Sequence, residues 1–127
     1  MNEITFIRLD HIMITIPEDQ KDQARDFYGN TLGLKEIPGE HPRGSMWFQL
    51  GDLELHVREE TGISYSSRHA AFEVADLNAA KDFLTSKNIE LSYSSEIEGR
   101  ARCFFRDPFS NRFELIQYIA SPIISAL

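Results

Sequence analysis

The sequence predicts an α+β fold made of two tandem strand–helix–strand–strand–strand (βαβββ) modules, about residues 7–58 and 68–119, in one domain spanning residues 1–127. Three observations carry that reading. Apolar residues recur with a period of two, then at helical spacing, then with a period of two again, in the same order in each half. A histidine and a glutamate recur with the pattern: His11 leads to Glu54 after 43 positions, and His69 to Glu114 after 45. Turn residues fall between the segments, and the polar stretch from Glu59 to Arg68 reads as the connector between halves. Self-similarity at half the chain length marks a duplicated unit.

In the first module, residues 8–16 alternate, with Ile12, Ile14 and Ile16 on one face and His11, Met13 and Thr15 on the other, as a strand requires. Pro17-Glu18-Asp19 breaks it, and Asp19 is the expected N-cap of a helix over 20–32. Ala24, Phe27, Tyr28 and Leu32 give that helix one apolar face, and Gly33 ends it. Strands are expected near 34–37, 45–50 and 53–58, parted by Pro38-Gly39 and Gly51-Asp52. In the second module, residues 69–74 alternate, with Ala70, Phe72 and Val74 opposite His69, Ala71 and Glu73. Asp76 is the expected cap of a helix over 77–87 whose apolar face is Leu77, Ala80, Phe83 and Leu84. Strands are expected near 90–94, 101–106 and 112–119.

Composition narrows the function classes. A formal charge of −7 with dispersed Lys and Arg offers no basic stripe for nucleic acid. The single Cys103 has no internal disulfide partner and falls in an apolar strand, which predicts a buried thiol in a reducing compartment. The opening Met-Asn-Glu-Ile-Thr-Phe carries an early acid and no long apolar run, unlike a signal peptide. No stretch has the length to span a bilayer. A cytoplasmic protein with no membrane partner is expected.

Strand phase places the repeated residues on common faces. The Ile12 and Phe72 faces should meet the helices, so His11 and His69 point the opposite way. Glu54, His56 and Arg58 lie out of phase with Leu53, Leu55 and Val57, as Glu114 and Tyr118 do with Phe113 and Leu115. All four repeated residues therefore lie opposite the helix-covered face, where a curved sheet forms a cleft. Two imidazoles and two carboxylates suit one divalent ion of Zn, Ni, Co, Mn or Fe. His56 competes with Glu54 as ligand, or contacts substrate: the Leu-Glu-Leu and Phe-Glu-Leu match favours Glu54, while the 45-residue spacing from His11 to His56 favours His56. Trp47, Phe48, Tyr65, Phe105 and Tyr118 are candidate apolar walls. Arg58 and Arg43 are candidate anchors for a substrate carboxylate or phosphate, Arg68 is expected to pair with an acid, and His41 is expected to be merely exposed. No phosphate-cradling loop or nucleophile elbow is present.

With those residues identified, the chain resembles the vicinal oxygen chelate superfamily of glyoxalases, bleomycin-resistance proteins and extradiol dioxygenases. The resemblance covers residues 7–119. It rests on Leu-Asp-His11-Ile, Phe27-Tyr28 with Leu32-Gly33-Leu34, Leu53-Glu54-Leu55, Arg68-His69-Ala70-Ala71-Phe72, and Asp107-Pro108 with Asn111, Phe113, Glu114 and Leu115. Ser110 stands where many relatives carry Gly. The resemblance implies two βαβββ modules whose mixed sheets curve into a barrel-like cleft, with metal ligands at His11, Glu54, His69 and Glu114. It implies a metal-dependent lyase or isomerase acting on a small substrate with vicinal oxygens, with Glu114 or Glu54 as the proton-transferring base. The alternatives are a thiol transferase, a ring-cleaving dioxygenase, or a non-catalytic binder of the bleomycin-resistance type. It also implies a homodimer, to which the apolar segment from Ile119 to Leu127 would add surface.

Overall fold

The computed structural model describes residues 3–62 and 65–119. The chain divides into two compact units, Met1–Ile63 and Ser64–Leu127, a boundary inside the expected connector.

In the first unit, β1 (His11–Ile16) leads into α1 (Lys21–Arg25), and β2 (Lys35–Ile37), β3 (Met46–Leu50) and β4 (Leu53–Glu59) follow. The sheet order is β1-β4-β3-β2. β1 runs parallel to β4, as a helical crossover demands, and the other pairs are antiparallel hairpin neighbours. Ile16, Ala24, Phe27, Tyr28, Met46, Phe48, Leu55 and Val57 form the core.

Two local expectations change here. Asp19 does not cap the helix: it sits at φ 65°, its N–H donates to a Glu59 carboxylate oxygen at 2.6 Å, and Gln20 takes the cap position without a side-chain bond. The expected 20–32 helix is α-helical only to Arg25 and widens into a π-helical turn over Asp26–Thr31. The adjacent Phe27 and Tyr28 are both buried in this wider turn, edge to face with ring centres 5.0 Å apart. Gly33 ends the helix at φ 75°, with the Leu34 N–H reaching back to the Tyr28 carbonyl.

The second unit carries β5 (His69–Glu73), α2 (Leu77–Ser86), β6 (Arg100–Arg106) and β7 (Arg112–Tyr118) in a sheet ordered β5-β7-β6. β5 is parallel to β7, and β6 antiparallel. Asp76 does cap its helix, accepting from the Ala79 N–H at 3.0 Å. The strand expected near 90–94 is reduced to a single bridge between Ser92 and Phe104. Ser92, Ser94 and Ser95 supply little β-branched or apolar surface to hold a longer ladder. Leu77 and Leu84 are buried, whereas Phe83 is exposed beneath the Lys87 ammonium.

The Asp107-Pro108-Phe109-Ser110-Asn111 turn is built around a buried carboxylate. Asp107 Oδ1 accepts from the backbone N–H of Phe109 and Asn111, each at 2.8 Å, and Oδ2 accepts from Asn111 Nδ2 at 2.8 Å. The ends of β6 and β7 are thereby tied together, so this motif sets the hairpin that positions Glu114. No described helix is long and apolar enough to cross a membrane.

Candidate functional site

In the first unit, the sheet face away from the helix carries a cavity of about 430 Å³, within the range of small-molecule sites. Asp10, His11, Met13, Arg43, Ser45, Trp47, Glu54, His56 and Arg58 line it. Register explains their convergence. His11 lies opposite Glu54, and His56 lies opposite Met13 on one side and Trp47 on the other. Side chains directly across strands share a face, so the rings stack in a column. His11 lies 4.1 Å from His56, His56 4.1 Å from Trp47, and Trp47 4.0 Å from His41, all within 15° of parallel. His41 is thus half-buried and fixed, with Nε2 on the Ile37 carbonyl at 2.9 Å, rather than simply exposed.

The polar groups beneath this column are paired. Asp10 accepts from His11 Nδ1 at 2.8 Å and from Arg8 at 3.3 Å. The His11 hydrogen bond first, and the Arg8 charge after it, hold the Asp10 carboxyl below its ordinary range. With Nδ1 donating to Asp10, His11 keeps Nε2 as its electron-pair donor. Glu54 Oε1 lies 3.0 Å from His56 Nε2.

In the second unit, β5 and β7 bring His69 and Glu114 together. His69 Nε2 lies 2.9 Å from Glu114 Oε1, and its Nδ1 lies 3.1 Å from the Ser67 carbonyl. Arg112 Nη1 lies 3.3 Å from that same Nδ1 and donates to the same carbonyl at 3.1 Å. A guanidinium only donates and a carboxylate only accepts, so the contacts to Arg112 and Glu114 put the proton on Nε2, which donates to Glu114 Oε1, while Nδ1 faces Arg112 and the Ser67 carbonyl accepts from Arg112. Glu114 is buried. Its second oxygen accepts from Arg102 at 3.3 Å, and Arg102 is held in turn by the Ser95 carbonyl at 2.6 Å. Phe104, opposite Glu114, presents its edge to His69.

The sequence reading missed Arg102. Its signal was available: Arg100, Arg102, Phe104 and Arg106 alternate in phase along β6, which puts cations on the same face as Glu114. Phe48 and Phe105, expected as walls, belong to the helix-side core against Tyr28 and Phe113. Tyr65 and Tyr118 are exposed and carry Arg106 and Arg100 over their rings. The Arg68 side chain makes no ion pair with another described residue.

The repeat equivalence of Glu54 is clarified by register. Ala71, two residues after His69, faces Glu114. Met13, two residues after His11, faces His56. By strand pairing, His56 occupies the position equivalent to Glu114, and Glu54 the position equivalent to Arg112. Among the described residues no three His, Cys, Asp or Glu side chains are grouped to enclose a metal ion. The donors occur as pairs: His11 has Nδ1 on Asp10 and keeps Nε2 as its ligand atom, while His69 Nε2 faces the Glu114 carboxylate, where a cation would take the place of the shared proton. That donor chemistry fits a divalent metal.

Comparison with known proteins agrees with the architecture. The Glyoxalase/Bleomycin resistance protein/Dioxygenase superfamily profile matches residues 8–115. The chain belongs to this superfamily. A protein from Bacillus anthracis described as belonging to the glyoxalase family is 31% identical with a TM-score of 0.81, over 91% of this chain and 99% of that one. A genomically encoded fosfomycin resistance protein from Listeria monocytogenes is 18% identical with a TM-score of 0.69, over 93% and 94% of the two chains. An antibiotic-binding protein from Streptomyces is 16% identical with a TM-score of 0.71, over 91% and 99%. The latter two share the fold. A comparison with curated protein sequences found no match.

Proposed function

We propose that the protein is a cytoplasmic, metal-dependent lyase or isomerase of the glyoxalase type, acting as a homodimer on a small substrate with vicinal oxygens. The observation that carries this reading is an imidazole–carboxylate pair in each unit, His56 with Glu54 and His69 with Glu114. His11, His69 and Glu114 would hold one divalent ion with a fourth donor from β4. Strand register favours His56 for that role, with Glu54 as the alternative. Bound there, the ion would polarise oxygens of the substrate.

The remaining chemistry belongs to the side chains. Glu114 has one oxygen against His69 and the other on Arg102, so it is poorly placed to move a proton. Glu54 is half-exposed, lines the cavity and, among the described residues, has its carboxylate tied only to His56. This favours Glu54 as the group that takes a proton from one substrate carbon and returns it to the next. Trp47 and Met13 would keep water from the apolar part of the substrate.

The ring column and the Glu114–Arg102 ion pair favour a second reading, a non-catalytic small-molecule binder. Elemental analysis of tag-free protein separates the two. About one divalent ion per chain is expected, with a large loss in His69→Ala and Glu114→Ala; full metal in both variants overturns the ligand assignment. Turnover of a 2-oxo-aldehyde, epoxide and catechol panel under strict anaerobiosis then tests the reaction class. Activity requiring both Fe(II) and dioxygen would make the protein a dioxygenase.

A further inference from the structure

The charges lining the first unit's cavity are unequally used. Both carboxylates are engaged, Asp10 by His11 and Arg8, and Glu54 by His56. The two guanidinium groups, Arg43 and Arg58, make no hydrogen bond or ion pair with any described residue. Arg58 is half-buried, Arg43 exposed. The other described arginines either bond a carboxylate or carbonyl, lie over an aromatic ring, or, like Arg68, are exposed. A half-buried guanidinium carries five donors in a fixed fork, and leaving them without acceptors is costly. Net charge does not recruit an acceptor, since the chain is −7 overall. The acceptor has to be drawn in locally.

From this juxtaposition we propose that Arg58 is the specificity-determining anchor for a carboxylate or phosphonate on the ligand, whose apolar part lies against the edge of Trp47 and against Met13. Arg58 follows His56 by two residues on the same strand face, about 6.7 Å along β4. The ligand therefore carries its oxyanion roughly that far from the groups opposite His56. Two oxygens of a carboxylate or phosphonate match the guanidinium fork by two parallel hydrogen bonds, which an ammonium cannot reproduce. Arg43, on the exposed turn across the cavity mouth, adds charge but little fixed geometry. The proposal deepens the reading of the same site as a small-molecule site and does not depend on the metal.

The single Trp47, stacked in the column beside His56, is a built-in reporter. The test titrates full-length, chelator-treated protein with benzoate, phenylphosphonate and neutral benzamide, reading Trp47 fluorescence with calorimetry as a second measure. Saturable binding of at least one anion, and much weaker binding of benzamide, is expected. Arg58→Met, which keeps the apolar stem, is expected to bind that anion about ten- to a hundredfold more weakly, while Arg58→Lys recovers part of the loss. Which anion binds tighter distinguishes a carboxylate from a phosphonate ligand. Equal binding of benzamide, unchanged binding by a folded Arg58→Met, or no saturable response to either anion overturns the proposal. If Arg58→Met fails to fold, Arg58→Lys and the benzamide arm decide alone. Because these titrations use metal-free protein, their failure is distinct from a failure to find metal in the His69 and Glu114 comparison.

Discussion

Single residues in this chain take their roles from what strand pairing sets beside them. His11, His69 and Glu114 are legible from phase and repetition. The choice between Glu54 and His56 is not, because the local Leu-Glu-Leu match and the spacing from His11 point to different residues. The parallel register of β1 on β4 pairs Met13 with His56, a fact about inter-strand alignment that a single sequence leaves open. We therefore expect His56→Ala to weaken metal binding by tenfold or more, and Glu54→Gln to weaken it less while lowering turnover. Competitive titration with a metallochromic chelator measures both; a larger affinity loss in Glu54→Gln would return Glu54 to the ligand set. Cys103 followed its expectation: it is a buried free thiol, and burial pushes it up from 9.0. A raised folded-state value means the neutral thiol contributes stability that is complete below the unfolded value and is lost as pH rises through the folded one. The native protein should resist Ellman's reagent near pH 8 and react at once in denaturant, with thermal stability declining only above about pH 9. Rapid native modification at pH 8 would contradict this.

Elements were most readable where their patterns were strongest. The strands β1, β4, β5 and β7 and the Asp76-capped helix fall within a few residues of their expected spans, because period-two alternation and an N-cap are local signals. What escaped the sequence depends on partners. The π-helical turn over Asp26–Thr31 follows from burying two adjacent aromatics, and the strand near 90–94 fails for want of apolar surface to keep it paired. Arg102 was missed because its meaning arises only when β6 lies against β7. The Asp107 turn shows the reverse case, a resemblance motif whose role is structural. Within it Ser110 adopts φ 74°, a left-handed conformation that costs a non-glycine residue about 1 kcal/mol. Ser110→Gly should relieve that strain, partly offset by the greater freedom of glycine when unfolded. A net gain of about 0.5 kcal/mol, near 2–3 °C in melting temperature, is expected. Calorimetry showing a loss instead would mean that the Ser110 side chain contributes more than its backbone strain costs.

At the scale of the whole molecule, exposed apolar surface argues for a partner of the same sequence. Preceding β1, residues 3–10 carry Ile4, Phe6, Ile7 and Leu9 at 76, 87, 91 and 60% exposure. Among the described residues β1 lies at the edge of its sheet, paired only with β4, and Met13 on it is also exposed. An open strand edge continued by an apolar segment is a template for association, which soluble proteins cover or block with charge. The expected dimer surface at Ile119–Leu127 lies, beyond Ile119, outside the described residues; the N-terminal segment offers exposed apolar surface of its own. Burying Phe6 and Ile7 alone would contribute on the order of 2 kcal/mol each per copy, and a two-fold arrangement counts every contact twice. We propose that these segments cover one another's β1 edges in a homodimer. Multi-angle light scattering at micromolar concentration should give twice the chain mass. Ile7→Asp, which sets a carboxylate in the proposed interface at a position 91% exposed within its own chain, should give the monomer with unchanged circular dichroism. A wild-type monomer that binds its full metal complement would remove the need for a partner, and a dimer untouched by Ile7→Asp would move the interface to another face.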